Sequence, residues 1–284
     1  MYTSNCFISF FLNGYEIKTK NLNKMNKYIE NELFTVEYKI QGKGNVIVFL
    51  HGYLEAKEIW DDFIPSLTQN NTIITIDLPS HGKSICKQEV ATMELLAQSV
   101  NAVLENENIS KATLIGHSMG GYVTLAFLEL FPHKLNMLSL LHSHPFADTE
   151  LTKENRLREI DIVKDGHKEL LINTNIPKAF ATKNLETMSH ILQKIKQIAQ
   201  QTTDSGIIAA LKGMRERRDR HNILSQTLIP FIYVFGEHDN YISEETFKKI
   251  LMPKNSNTII MENSGHNSFL EETELLLNIY KRFL

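Results

Sequence analysis

Lys111–Leu130, KATLIGHSMGGYVTLAFLEL, is the stretch whose reading decides the fold. Its centre, Gly116-His117-Ser118-Met119-Gly120, is an instance of G-x-S-x-G. It sits between a short apolar run, Ala112 to Ile115, and a helix-like run of Tyr122, Val123, Leu125, Ala126 and Leu128. A strand that turns sharply at a serine and leaves as a helix forces that serine into a strained conformation and crowds the backbone around it. Small neighbours are then needed, and Gly116, Gly120 and Gly121 supply them. The Ser118 hydroxyl is therefore expected to stand clear of the sheet at the positive end of a helix, where an oxyanion can be stabilised.

Working outward, apolar runs and amphipathic helices alternate along most of the chain. Phe34, Val36, Tyr38 and Ile40 alternate with polar residues as in a half-buried strand, ending at the turn Gly42-Lys43-Gly44. Val46 to Leu50 is fully apolar and suits a buried parallel strand; further runs lie at 72–76, 135–141, 231–235 and 258–261. Between them, helices are expected over Lys57 to Thr68, over Met93 to Leu104 and onward from the serine motif to Phe131. This alternation predicts a mostly parallel, eight-stranded type of sheet flanked by helices, an α/β fold. Gly42-Lys43-Gly44-Asn45 is no phosphate loop, because it leads into a strand and lacks the G-K-[ST] ending.

From about Pro145 to Gln226 the alternation breaks, and only helical periodicity remains, as in Ile191, Leu192, Ile195 and Ile198. Residues 145–226 read as a helical insertion between two strands of one sheet, with the core formed by residues 25–144 and 227–284. The cluster Arg215, Arg217, Arg218 and Arg220, alternating with acids, reads as a solvated helix end. Residues 1–24 contain the short apolar stretch Cys6 to Leu12, too short to span a bilayer, and a polar Lys/Asn-rich stretch. They are expected to be a disordered extension, with the folded domain starting near Met25.

Composition excludes several function classes. The net charge of −3, from 30 basic and 33 acidic residues, gives no reason to expect nucleic acid or an anionic membrane as partner. Cys6 and Cys86 cannot make a disulfide framework, and no zinc spacing occurs, so a reducing, cytoplasmic setting is expected. His142-Ser143-His144 follows a strand and could suggest a metal pair; without an evident third ligand it reads as pocket lining. Neither sequence nor motif indicates an oligomeric state.

The chain from Glu32 to Leu284 resembles the α/β-hydrolase superfamily, in the serine hydrolase, carboxylesterase-like branch with a helical cap inserted after the sixth strand. In that family nucleophile, acid and histidine follow one another in this order, each at the C-terminal end of a strand. The resemblance implies Ser118 as nucleophile, Asp239 in Gly236-Glu237-His238-Asp239 as acid, and His266 in Asn263-Ser264-Gly265-His266 as base, with Asp148 a less favoured position for the acid. It also implies oxyanion donors in the backbone N–H groups of Met119 and Tyr53, Leu54 being second choice, while His51 props the loop. The substrate pocket would be lined by Leu54, His144, Ile191, Ile195 and Ile198. The expected activity is cleavage of a small or medium carboxylic ester or thioester through an acyl-serine, with no metal, nucleotide or other cofactor and only a small molecule as partner. The same triad serves C–C bond hydrolysis, lactone opening and amide cleavage, and a slow-turnover ligand receptor on the same fold is the alternative of another class.

Overall fold

A computed structural model describes residues 8–12, 15–21 and 26–284. The sheet is built from β1 (Ile8–Leu12), β2 (Tyr15–Asn21), β3 (Asn26–Glu30), β4 (Phe34–Gly42), β5 (Asn45–Leu50), β6 (Asn71–Ile76), β7 (Ile85–Cys86), β8 (Ala112–His117), β9 (Leu135–Leu141), β10 (Phe231–Gly236) and β11 (Ser256–Met261). Their spatial order is β1-β2-β3-β4-β6-β5-β8-β9-β10-β11, with the short β7 paired to β4. From β6 through β11 every pair along this path is parallel, whereas β1 to β4 and the β4–β6 junction are antiparallel. Leaving aside β1, β2 and the two-residue β7, eight strands remain, and β9 is the sixth of them.

Strands in the middle of a parallel sheet are covered on both faces, which requires continuous rather than alternating apolarity. All six residues of β8 and all six of β10 are accordingly buried. Helices α1 (Met93–Asn106) and α2 (Met119–Leu130) pack on each other, and α2 packs on β8, β9 and β5. Thr92 caps α1 by accepting the Leu95 N–H, which fixes where that helix begins. The Trp60 ring packs at a tilt against Phe49 and Phe269, at centroid distances of 5.1 and 4.6 Å.

Helices α3 (Glu150–Lys164), α4 (Lys168–Lys178), α5 (Ser189–Gln201), α6 (Asp204–Arg215) and α7 (His221–Gln226) lie between β9 and β10. Because β9 and β10 are direct neighbours, the chain leaves the sheet, builds these helices and returns to the adjacent position. The short α8 (Glu244–Lys248) and α9 (Ser268–Glu271) and the terminal α10 (Thr273–Phe283) complete the chain. Among the described residues no helix is long and apolar enough to cross a membrane.

Two expectations are corrected. Residues 8–12 and 15–21 pair as antiparallel strands that extend the sheet beyond β3, rather than forming an extension without regular structure; the rest of the stretch before Met25 lies outside the described residues. The alternation of Tyr15, Ile17 and Thr19 with Glu16, Lys18 and Lys20 is the sequence signal for the second of these strands. Lys57 to Thr68 forms two 3₁₀ turns, Lys57–Trp60 and Pro65–Leu67, instead of one α-helix. Pro65 lacks an N–H and its ring crowds the preceding turn, so a continuous helix cannot run through it.

Candidate active site

Because β5, β8, β9, β10 and β11 are parallel, their C-terminal ends meet along one edge of the sheet, where α/β folds bind ligands. At the end of β8, Ser118 adopts φ 49°, ψ −114°, a left-handed conformation that non-glycine residues rarely accept. The turn is held by three bonds: Ser118 N–H donates to Leu141 O (3.0 Å), and Gly121 N–H (2.9 Å) and Ser143 Oγ (2.8 Å) donate to Ser118 O. A Cβ on Gly116 would lie 2.3 Å from Gly120 O, and one on Gly120 would lie 2.4 Å from Leu50 O. Strand and helix approach so closely here that only glycine fits.

Ser118, His266 and Asp239 come together. His266 Nε2 lies 2.8 Å from Ser118 Oγ and Nδ1 lies 2.8 Å from Asp239 Oδ2, so the network assigns the imidazole proton to Nδ1 and leaves Nε2 as acceptor. Asp239 Oδ1 accepts the Tyr241 and Ile242 N–H groups at 2.8 and 2.9 Å. Its Oδ2 also faces His142 Nδ1 at 3.3 Å. His142 Nε2 accepts from Ser268 N–H (3.2 Å) and pairs with Ser268 Oγ (2.7 Å), so the His142 proton sits on Nδ1 and points at the same carboxylate. Burial pushes the His142 pKa down to about 4, outweighing the pull of Asp239, so the ring is neutral near pH 7. Burial opposes the Asp239 charge as well, but His266 and the hydrogen bonds from both histidines outweigh it and hold that carboxyl well below the usual range. His142, Asp239 and His266 could be taken for metal ligands. Their facing atoms, however, are spent on hydrogen bonds to one another, one of them shorter than the roughly 3.3 Å edge of a tetrahedral zinc site with ~2 Å bonds.

Leu54, at φ 62°, and Tyr53 form the loop after β5 that lines the pocket beside Ser118. Among the described residues neither Tyr53 N–H nor Met119 N–H has a protein acceptor. His51, fully buried, donates from Nδ1 to Gly52 O (2.8 Å) and accepts the Leu78 N–H at Nε2 (3.0 Å), which braces that loop from below. A second brace had no signal in the sequence. His117 Nε2–H donates to His266 O (2.8 Å), and its Nδ1 lies 3.0 Å from Glu55 Oε2, the same oxygen that accepts Gly52 N–H at 2.6 Å. Two acceptors facing one imidazole require it to be an imidazolium. Burial would discharge both partners, but their mutual attraction raises the His117 pKa and lowers that of Glu55.

The signs of these shifts give a pH prediction. His117 contributes stability that is complete below its unfolded value of about 6.5 and is lost as pH climbs through the raised folded value; Glu55 contributes stability above about 4.5 that is lost as pH falls through its lowered one. Glu55→Gln should destabilise the fold by about 3–5 kcal/mol, because one amide group cannot replace an oxygen that serves both Gly52 N–H and His117. Thermal unfolding across pH should show the alkaline decline of the wild type flattened in the variant. A variant whose profile runs parallel to the wild type would assign the pH dependence elsewhere.

The helical insertion contacts the site directly. His266 N–H donates to Ala179 O (2.8 Å), Asn240 Nδ2 to Lys178 O (3.1 Å), and Glu271 accepts from both Ala181 N–H (2.8 Å) and Gly265 N–H (2.9 Å). The pocket, a cavity of about 400 Å³, is lined by Leu54, His144 and Ile195 as expected, but not by Ile191 or Ile198. Helix α5 turns Leu192, Ile195 and Ala199 inward, so its buried stripe is rotated away from those two isoleucines. His144, its pKa pushed down to about 3 by burial and by Arg217, accepts Phe146 N–H at Nδ1 and faces Tyr122 Oη at 3.3 Å.

The arginine cluster is a solvated helix end only in part: Arg218 is exposed, but two of its members are not. Arg217 and Arg220 are each buried, Arg220 between Glu94 and Glu129, and Arg217 against Asp148 with its guanidinium 3.9 Å from the Tyr122 ring centre. Asp148 is thereby tied to Arg217 and Arg156 and makes no bond to His266.

Residues 45–160 match the family described as the alpha/beta hydrolase fold. The chain has the fold of the α/β-hydrolases. Over 260 residues it is 25% identical to the pimeloyl-(acyl-carrier protein) methyl ester esterase of Wigglesworthia glossinidia brevipalpis, covering 87% of this chain and 96% of that one. A dihydrolipoyllysine-residue acetyltransferase component of an acetoin cleaving system from Pseudomonas putida is also 25% identical over 248 residues; the alignment covers 84% of this chain but spans only 63% of that relative's length. Among solved structures, a thermophilic esterase from Thermogutta terrifontis superposes with a TM-score of 0.84 at 23% identity, covering 98% of this chain and 97% of that one.

Proposed function

We propose that this chain is an α/β-hydrolase that cleaves a small or medium carboxylic ester or thioester through an acyl-serine intermediate. The observation that carries the reading is the unbroken chain Ser118 Oγ, His266 Nε2, His266 Nδ1, Asp239 Oδ2, with 2.8 Å at each of its two hydrogen bonds. Ser118 Oγ attacks the acyl carbonyl carbon as His266 Nε2 takes its proton; the carbonyl oxygen becomes an oxyanion. The unspent N–H groups of Met119 and Tyr53 are the donors suited to receive that charge. Collapse of the tetrahedral intermediate expels the alcohol or thiol, to which His266 returns the proton, and water then repeats the sequence on the acyl-enzyme. Asp239, charged and saturated with donors, holds the imidazole proton on Nδ1 and stabilises the imidazolium.

A p-nitrophenyl ester series with a serine-directed phosphonate tests the mechanism: turnover should be multiple, and the phosphonate mass should appear on the peptide containing Ser118. Labelling of another serine would remove it. We further infer that the helical insertion acts as a cap, with Ile195 the residue by which α5 limits acyl length. Ile195→Ala should move the optimum towards longer chains, by an amount in keeping with about 1–3 kcal/mol per methylene. An equal loss at every length would mean that the insertion acts on His266 through the Ala179 contact instead.

A further inference from the structure

The pocket wall opposite in character to Ile195 is polar and buried. Arg156 and Arg217 share the single carboxylate of Asp148, through bonds from Arg156 Nε and Nη2 and from Arg217 Nη1. Arg217 spends its other bonds on Phe146 O and Met214 O. Arg156 Nη1 has no acceptor among the described residues, and the side chain keeps 14% of its exposure although it lines the cavity. Beside it, Tyr53 also lines the cavity, and its hydroxyl is buried with no hydrogen-bond partner. Burial, with the charge of Glu159 adding to it, raises that hydroxyl's pKa well above the ordinary value, so it remains a donor. Glu159 also lines the cavity, accepts from Asn175 Nδ2 at 3.0 Å, and has its carboxyl pKa raised by burial.

Donors on this wall are left without protein acceptors. Two guanidinium groups share the Asp148 carboxylate, and Arg156 Nη1 and Tyr53 Oη are among the groups with no acceptor among the described residues. A buried donor without an acceptor, as the Tyr53 hydroxyl is, costs roughly 1–3 kcal/mol, and a ligand in the cavity would supply the acceptor. Arginine suits a planar two-oxygen acceptor, which an alcohol or a hydrocarbon chain does not offer.

We propose that the substrate carries a free carboxylate, held by Arg156 and the Tyr53 hydroxyl, while its ester carbonyl lies at Ser118. The reacting ester is thus a half-ester of a dicarboxylic acid or its equivalent. This rests on the esterase reading above and deepens it by naming the substrate class. The 400 Å³ cavity bounds the acid to a short or medium chain.

The test compares monomethyl esters of the C4 to C8 linear dicarboxylic acids with their half-amides, each pair equal in length and differing in charge, with rates corrected for hydroxide-catalysed cleavage. At the best length the wild type should favour the acid by 10-fold or more in kcat/KM, and the free dicarboxylate should compete with p-nitrophenyl acetate better than its monoamide does. Arg156→Gln, which leaves Asp148 paired with Arg217, should bring the acid-to-amide ratio close to one whatever it does to the two rates separately. Equal use of acid and amide by the wild type, with both cleaved, would overturn the carboxylate subsite while leaving the esterase reading intact. No turnover of any ester and no phosphonate on Ser118 would instead overturn the esterase reading. The wild-type comparison and the inhibition series decide the matter even if the Arg156 variant fails to fold.

Discussion

Ser118→Ala should lower kcat for p-nitrophenyl acetate on the order of 10⁶-fold while leaving the fold in place. The whole effect is assigned to one atom. Removing Oγ takes away the group that attacks the carbonyl and the partner that His266 Nε2 reaches at 2.8 Å, but none of the bonds that shape the turn. Those run through the Ser118 backbone, to Leu141 O and from Gly121 and Ser143, and alanine makes them all. The left-handed φ of 49° strains alanine much as it strains serine, at a cost of about 1–3 kcal/mol in either case. Thermal unfolding should therefore be nearly unchanged, and the phosphonate should no longer add its mass. What activity remains would come from binding and from the Met119 and Tyr53 N–H groups alone. A variant that still turned over esters at a substantial fraction of the wild-type rate would end the acyl-serine mechanism.

The parts of this site that could be read in the sequence are those where local geometry restricts the residue type. The turn at Ser118 admits only glycine at 116 and 120, because a Cβ there would collide with backbone oxygens, and that constraint left its mark as G-x-S-x-G. Asp239 and His266 were legible through the family resemblance, each following a short run that reads as a strand, buried throughout in β10 but largely uncovered in β11. The antiparallel β1 and β2 were missed because a five-residue apolar run and a seven-residue alternation are each too short to stand out without the partner strand they pair with.

What lay beyond the sequence depends on contacts between distant segments. Helical periodicity makes Ile191, Ile195 and Ile198 equally good candidates for the pocket, and the docking of α5 decides among them by a modest rotation. An arginine at the end of a helix looks the same in sequence whether it meets water or, as Arg217 does, Asp148 from another segment 69 positions away. The Glu55–His117 pair joins residues 62 positions apart, with no spacing rule to announce it. The insertion also reaches His266 itself, since Ala179 accepts the His266 N–H.

Asp239→Asn should lower kcat on the order of 10⁴-fold, and the hydrogen bonds around the carboxylate determine why. Oδ1 accepts two backbone donors, Tyr241 N–H and Ile242 N–H, which cannot change their role. An asparagine must therefore place its carbonyl oxygen there and turn its amide NH₂ towards the position of Oδ2. That NH₂ faces His266 Nδ1 and His142 Nδ1, both of which now carry protons. The nearer conflict, at 2.8 Å, is relieved if His266 shifts its proton to Nε2. The imidazole then points a donor at Ser118 Oγ and can no longer accept its proton. Because a charge-assisted partner is lost while the packing volume is kept, the variant should fold, and its slow residual activity should rise with pH as hydroxide replaces the missing base. Asp148→Asn serves as the comparison: it unsettles Arg156 and Arg217 and should lower stability, yet it leaves the His266 tautomer alone. A 10⁴-fold loss of kcat in folded Asp148→Asn, with little change in Asp239→Asn, would transfer the acid to the end of β9.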